Sequence, residues 1–344
     1  MQALRVCRPR FPWGGMAAVG LWGCRVGLGH TCRMIRFLTL TFAGKAACRA
    51  VLLCAGLVVL PAAWAQQGTL VRVVTSAGPV DIRLHDASAP RTVANFLAYV
   101  RSGAFNSSLF HRLLPGFALQ GGGLTWNAAA QPALGLVPTF APIANEFSPL
   151  RSNLRGTVAM AKQPGDPDSA TSQWFVNLAD NATNLDAQNG GFTVFGAVTA
   201  PGMAVVDVLA ALPKVDAKAC TNLGEAAVAL AQVPMLVRPA DCNAVSGSHL
   251  VLMQSVRELP PRHTLAHSER VFDYLEAAFP KWAAPASPPT QQGSGFVYRY
   301  YAQTQTYLAV MGNEVLALAP ALSPLVLSLG ALADWMALAQ GVGY

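Results

Sequence analysis

Residues 110–122, Phe-His-Arg-Leu-Leu-Pro-Gly-Phe-Ala-Leu-Gln-Gly-Gly, bring one arginine, one glutamine and two phenylalanines into a single short stretch. The Pro115-Gly116 dipeptide favours a turn, so the stretch reads as two short strands folded against each other. After the turn Phe117, Leu119 and Gly121 face one way and Ala118 and Gln120 the other. Before it, Arg112 shares a face with Phe110 and Leu114. A guanidinium on an apolar face must find acceptors, because burying it unpaired is very costly. An arginine held beside a phenylalanine and a glutamine on a rigid sheet is suited to gripping a peptide. Taken alone, the stretch is better read as an edge strand with an ordinary surface arginine.

Further motifs narrow the choice. Gly156-Thr-Val-Ala-Met-Ala161 reads as a strand ending in small residues, and Ser172-Gln-Trp-Phe-Val-Asn177 as another with Gln173 and Phe175 on one face. Asn184-Leu185-Asp186 and Phe192-Thr-Val-Phe-Gly196 follow. In this order the motifs resemble the cyclophilin family of peptidyl-prolyl cis/trans isomerases, over about Gly68 to Glu258 and with most likeness to its bacterial exported branch. The resemblance implies a mainly β fold: a closed eight-stranded antiparallel barrel capped by two helices. It also implies an activity that needs no cofactor and no metal, and partners that are proline-containing peptides and unfolded exported proteins.

The chemistry implied is rotation about an X–Pro bond, which faces a barrier of ~18–20 kcal/mol and takes tens of seconds or more unaided. A catalyst must favour the twisted amide, in which resonance is lost and the proline nitrogen accepts a hydrogen bond. A fixed guanidinium can donate to that nitrogen without any covalent step. By resemblance this role falls to Arg112. Phe117, Phe175, Leu185 and Phe192 would line a slot for the proline ring, Gln120 and Gln173 would serve the peptide backbone, and Ala161 would meet the residue before proline. The alternative is a catalytically weak proline-peptide-binding or chaperone module of the cell envelope.

Four positions depart from the family pattern. Ala118 stands where a methionine is usual, which predicts a wider slot; Lys162 replaces an asparagine on the peptide-binding rim. Trp174 replaces the first of two phenylalanines, and Asn184 stands where eukaryotic members carry the tryptophan important for cyclosporin binding. Weak cyclosporin sensitivity is the expected consequence.

Charge and cysteine usage bound the rest. The formal net charge of +7 invites a nucleic-acid reading, but residues 1–65 hold 8 of the 24 basic residues and none of the 17 acidic ones. The remainder is close to neutral and lacks the basic patch of a nucleic-acid binder. Arg36, Lys45 and Arg49 precede the apolar run 50–60, and Pro61-Ala-Ala-Trp-Ala65 ends in a small-x-small pattern. This reads as a secretory leader cleaved after Ala65, with Met34 as the true start, and the run is short for a membrane anchor. A periplasmic, monomeric protein is expected. Five of the seven cysteines lie in that leader, leaving Cys220 and Cys242 to form one disulfide in an oxidising compartment.

Positioning these residues requires a hairpin over Thr69–Leu84, a helix from Pro90 stopped at Ser102-Gly103, a second helix over Gly202–Leu209 and a last barrel strand over Ser248–Arg257. Residues 124–149 read as loop, and 213–246 as a loop insertion stapled by its two cysteines within an isomerase domain spanning 66–259. Residues 260–344 read as a small α+β module of unknown role: a helix over Arg270–Phe279, a linker over Ala283–Gly295, paired strands from Phe296 and Tyr307, and an apolar tail over 316–339. Pro320, Pro324, Gly330 and Asp334 interrupt that tail, favouring a packed module over a membrane span. His263 and His267 have the i, i+4 spacing of a metal pair, but solvated linker histidines are the favoured reading.

Overall fold

A computed structural model describes residues 68–260, 266–293, 295–320 and 325–344. The leader, its cleavage point, the start at Met34 and His263 lie outside the described residues.

The expected hairpin forms from β1 (Leu70–Thr75) and β2 (Gly78–Leu84). Val71, Val73, Val80 and Ile82 point into the main core, so period-2 alternation places Arg72 and Asp81 on the opposite face. Helix α1 (Pro90–Arg101) follows, with Val93, Phe96, Leu97 and Val100 buried at helical spacing. Its first amides are satisfied from outside the helix, because Arg91 N, Thr92 N and Thr92 Oγ1 all donate to the Glu146 carboxylate. Next come β3 (Ser108–Leu114), β4 (Ala118–Trp126), β5 (Leu134–Leu136), β6 (Thr157–Met160), β7 (Trp174–Asn177), the single turn α2 (Ala182–Leu185) and β8 (Val194–Val198). Helix α3 (Ala200–Ala210) buries Val205, Val206 and Leu209 in the same core as α1. Two short strands, β9 (Lys214–Val215) and β10 (Val233–Pro234), precede β11 (Leu252–Glu258).

Strand order is β3-β11-β1-β2-β8-β6-β7-β4, and the β3–β4 pairing closes a barrel of eight antiparallel strands, with β5 added beside β4. The interior is aromatic: Phe96 lies 5.0 Å from Phe195 and 5.9 Å edge-on from Trp174, and Phe110 is 5.6 Å from the same indole. Trp174 is fully buried there, so this substitution changes the barrel filling.

Three sequence expectations need correction. Residues 124–149 are not wholly loop, because burial of Leu124 and Leu134 extends β4 to Trp126 and pairs it with β5. The last barrel strand begins at Leu252, not Ser248, because Ser246–Leu250 is turned on itself by His249 N donating to Ser246 O and Leu250 N to Gly247 O. The insertion 213–246 is more than a loop: Ala217, Leu223, Leu230, Val233 and Met235 form a second core with Leu109, Leu124, Leu134 and Leu250. Cys220 and Cys242 are bonded within it, their Cα atoms 5.2 Å apart.

The C-terminal segment is an antiparallel meander of β12 (Gln291–Gly293), β13 (Phe296–Tyr301), β14 (Thr306–Met311), β15 (Glu314–Ala319) and β16 (Leu325–Ala331), with helices α4 (His267–Ala278) and α5 (Leu332–Gly341). Val271, Phe272 and Leu275 of α4 pack against Tyr301, Leu308 and Val310 of the sheet. The apolar tail is thus consumed by β15, β16 and α5, and no helix among the described residues is long and apolar enough to cross a membrane. Residues 283–295 are not a free linker: Ser255 Oγ donates to Pro285 O, Arg257 Nη2 to Ser287 Oγ at 2.7 Å, and β12 pairs with β13.

Helix α4 also closes over the outer face of the β1–β2 hairpin. Arg72 donates through Nε and Nη2 to both oxygens of Asp81 (2.8 Å each) and through Nη1 to Glu276 Oε2 (2.7 Å). Arg299 Nη1 reaches Asp273 Oδ1 (2.8 Å) and Glu276 Oε1 (2.9 Å), and Tyr301 OH, Ser287 Oγ and Tyr344 OH donate into the same carboxylates. Every charge in this buried cluster is paired, which is the condition under which burying it is tolerable.

Candidate active site

The Phe-His-Arg strand is bulged. Phe110 pairs with Gly121 and Arg112 with Gln120, so two residues of β3 advance against one of β4. The bulge reverses the alternation. Phe110 is sealed in the barrel core, whereas Arg112 emerges on the outer face and is exposed. This corrects the expectation that Arg112 shares a face with Phe110. The alternation after the turn is also corrected: Leu119 points into the core, and Phe117, which precedes β4, packs on the side of Ala118.

From Arg112 a single row of residues crosses five strands. Arg112 is opposite Gln120, Gln120 opposite Phe175, Phe175 opposite Ala159, and Ala159 opposite Val194. The adjacent row of Leu113, Leu119, Val176 and Val158 faces the interior, so the first row must face outward. Its polar end is a hydrogen-bonded chain, with Arg112 Nη1 donating to Gln120 Oε1 (3.3 Å) and Gln120 Nε2 to Gln173 Oε1 (2.8 Å). Close approach of β4 to this chain requires glycine: Gly122 has φ +78°, and a Cβ at Gly123 would lie 2.8 Å from the Gln173 amide carbon.

The apolar end is a cluster separate from the barrel core. Ala118, Ala159, Phe175, Leu185 and Val194 form its buried floor, with Phe117, Ala161 and Phe192 partly buried around it. Phe175 and Phe192 meet edge to face, centroids 6.0 Å apart. The structure therefore gathers all the residues singled out for the site: Arg112, Gln120 and Gln173 as a polar chain, and Phe117, Ala161, Phe175, Leu185 and Phe192 as an apolar cluster joined to it through the Gln120–Phe175 pair.

The supporting role of several residues was not legible beforehand. Asn153 Nδ2 donates to Asp186 Oδ1 and to the Phe192 carbonyl, and Asn177 Nδ2 to Asn153 Oδ1. Asn181 Nδ2 completes the set by donating to Asn177 Oδ1 and to the Phe117 carbonyl. One buried amide network thus holds the backbones of three parts of the apolar cluster, at Phe117, Phe192 and the Leu185–Asp186 turn. Asn145 Nδ2 fixes the loop before Phe192 by donating to the carbonyls of Gly190 and Gly191. Asparagine is also common in turns, so its abundance here was not a specific signal.

Lys162, expected on the rim, is half-buried. Its Nζ donates to Asn189 O and Gly191 O (2.7 Å each) and lies 4.8 Å above the Phe192 ring, so it braces the loop before Phe192. Asn184 is exposed and accepts a hydrogen bond from Gln188.

His111, between the core residue Phe110 and Arg112, is buried. Burial pushes its imidazole down to about 4, with the neighbouring Arg112 charge adding to the effect against partial opposition from Leu109 and Gln173. The ring is therefore neutral across the working range. A native value below the ordinary ~6.5 means that the unfolded chain takes up the proton first, so stability falls as pH drops from about 6.5 toward 4. In NMR titration the His111 ring should remain neutral down to about pH 5, and kcat/KM should be flat from pH 6 to 8. An activity inflection near 6.5 that disappears in His111→Gln would contradict this.

A cavity of about 270 Å³ lies elsewhere, on the C-terminal sheet, lined by Phe296, Tyr298, Tyr307 and Leu318 among others. It shares no residue with the Arg112 row, whose chemistry is what marks the candidate site.

Known proteins match the barrel part of the chain. The family described as cyclophilin type peptidyl-prolyl cis-trans isomerase/CLD matches residues 70–225. A peptidyl-prolyl cis-trans isomerase of Acinetobacter baylyi is 42% identical over 155 residues, covering 45% of this chain and 78% of that protein. The isomerase cyp18 of Streptomyces antibioticus is 46% identical over 143 residues (40% and 81%), and isomerase A of Dickeya dadantii 43% over 148 residues (43% and 74%).

Proposed function

The chain belongs to the family of cyclophilin-type peptidyl-prolyl cis-trans isomerases, and from that membership and the geometry of the outer row we propose that it accelerates X–Pro rotation in exported polypeptides with Arg112 as the catalytic residue. The observation that carries the assignment is the row itself: a guanidinium on a bulged strand, joined through Gln120 to an apolar cluster sized in aromatic side chains.

In this reading the proline ring sits on Phe175 and Leu185 between Phe117 and Phe192. Gln120 orients Arg112 from below and offers its amide to the peptide backbone, with Gln173 fixing the Gln120 rotamer. As the amide twists, its nitrogen becomes pyramidal and gains a lone pair, and the Arg112 guanidinium donates to it. The planar amide has no such lone pair to offer, so the interaction is stronger in the transition state than in either ground state and lowers the barrier. No bond is made or broken.

Support for an exported protein comes from the sequence pattern over 36–65 and from a bonded cysteine pair, a feature of oxidising compartments. Exported, unfolded, proline-containing chains are then the clients, and the mature protein works as a periplasmic monomer. Fractionation of cells carrying the full chain tests this: recovery of a shortened product beginning at Gln66 in the periplasm is expected, and retention of full-length protein in the cytoplasm contradicts it.

Cyclosporin inhibition should be weak, since Asn184 offers no indole at the mouth of the slot. Asn184→Trp should tighten inhibition by about tenfold or more, equivalent to ~1.4 kcal/mol. An unchanged inhibition constant would show that another feature, such as the Phe192 wall, sets the sensitivity.

A further inference from the structure

We propose that the disulfide-stapled insertion 213–246 is a positioning element for catalysis, standing in for β11 along the second half of β3 and holding the bulged backbone from which Arg112 projects. The inference rests on the function proposed above.

The barrel itself does not complete the edge of β3. Strand β11 pairs with it only through Leu252↔Leu109 and Met253↔Ser108, and its last link is Phe110 N donating to Val251 O. Beyond Phe110, at the bulge, β3 would have β4 on one side and nothing regular on the other. The insertion supplies the missing partner. Leu113 N donates to Gln232 O at 2.8 Å, and Arg112 and Gln232 form an isolated parallel bridge. The backbone under Arg112 is therefore gripped from both edges, by Gln120 and Leu119 of β4 and by Gln232. A bulge locally disrupts its own ladder, so a second edge partner matters more here than along a regular strand.

Gln232 is in turn held by the insertion. Val233 and Pro234 pair with Val215 and Lys214, Met235 N donates to Pro213 O, and Met235 bridges to Leu250. The rest of the segment is short 3₁₀ turns with little regular hydrogen bonding, so its order depends on a small core that includes Cys220. A core of that size is marginal by itself, and the Cys220–Cys242 bond, closing a separation of 22 residues, is the constraint that fixes it. Sequence, disulfide, second core and Arg112 thus form one mechanical chain. Displacing a catalytic group by about 1 Å costs on the order of 100-fold in rate, so loosening this chain should be visible in kcat.

The test compares the oxidised protein with the same protein reduced by a phosphine, in a protease-free isomerisation assay, with amide exchange at Leu113 followed in parallel. Reduction should deprotect the Leu113 amide and lower kcat about tenfold or more while KM changes less than twofold, and reoxidation should restore both. An insertion serving stability alone would lower the unfolding midpoint without this split. Leu223→Ala, which trims the insertion core with the disulfide intact, should shift kcat and Leu113 protection in the same direction by a smaller factor, and keeps the test open if the reduced protein unfolds. Loss of Leu113 protection with kcat unchanged, or protection retained after reduction, would overturn the proposal. An oxidised protein with no isomerase activity would instead count against the function, and the exchange measurement would still decide whether the insertion holds β3.

Discussion

Replacing Arg112 with alanine is expected to lower kcat/KM on an Ala-Pro peptide by about 100-fold or more, the usual cost of deleting one preorganised donor to a developing lone pair. Arg112 is exposed and, among the described residues, its Nη1 donates to Gln120, so truncation leaves no buried charge unpaired and should cost little stability. KM should change far less than kcat, because in the proposed pose the proline ring rests on the apolar cluster of Phe117, Phe175, Leu185 and Phe192 rather than on the guanidinium. Arg112→Lys should recover little, since a point ammonium on a flexible stem cannot keep one donor on Gln120 and another on the amide nitrogen. A tenfold or smaller loss with alanine would move the catalytic role elsewhere in the row.

Glu276→Ala should be the most damaging single change to stability, at about 3–5 kcal/mol in chemical denaturation. The carboxylate is fully buried and receives Arg72, Arg299, Tyr301 and Ser287. Its removal leaves two buried guanidiniums short of charge, one on barrel strand β1 and one on β13, so barrel and C-terminal module should weaken in a single transition. Burial alone would raise the Glu276 carboxyl, but the Arg72 and Arg299 charges outweigh it and hold the group below the ordinary carboxylate range. With the native value depressed, this contribution is complete above about pH 4.3 and is lost as pH falls through the native value. A loss under about 1 kcal/mol, or two separate transitions, would show that the module is not fastened to the barrel in this way.

The barrel was legible because its strands and helices carry clean periodicity, and because the motif at 110–122 spans the β3–β4 turn while those at 156–161, 172–177 and 192–196 fall at β6, β7 and β8. The clustering of Phe117, Ala161, Phe175, Leu185 and Phe192 was legible by motif position. Parity at Arg112 was not: a bulge inserts one residue without any marker in residue type, so counting by twos from Phe110 gives the wrong face. The module's attachment was hidden for a related reason. Arg72 and Asp81 alternate with core valines as a solvent-facing pair would, and only the partner helix, some two hundred residues later, makes that face an interior. The role of Gln232 was equally hidden, because a backbone carbonyl carries no side-chain signature.

The most direct test of the central claim is two-dimensional exchange NMR on an Ala-Pro peptide with a catalytic amount of the oxidised mature protein. Cis and trans resonances should show exchange cross-peaks on a sub-second timescale, far faster than the tens of seconds of the unaided bond, and the peaks should fade with Arg112→Ala. Peptide resonances that shift on addition of the protein while cis and trans remain in slow, unaccelerated exchange would mean that the row binds proline without turning it, and would contradict the account.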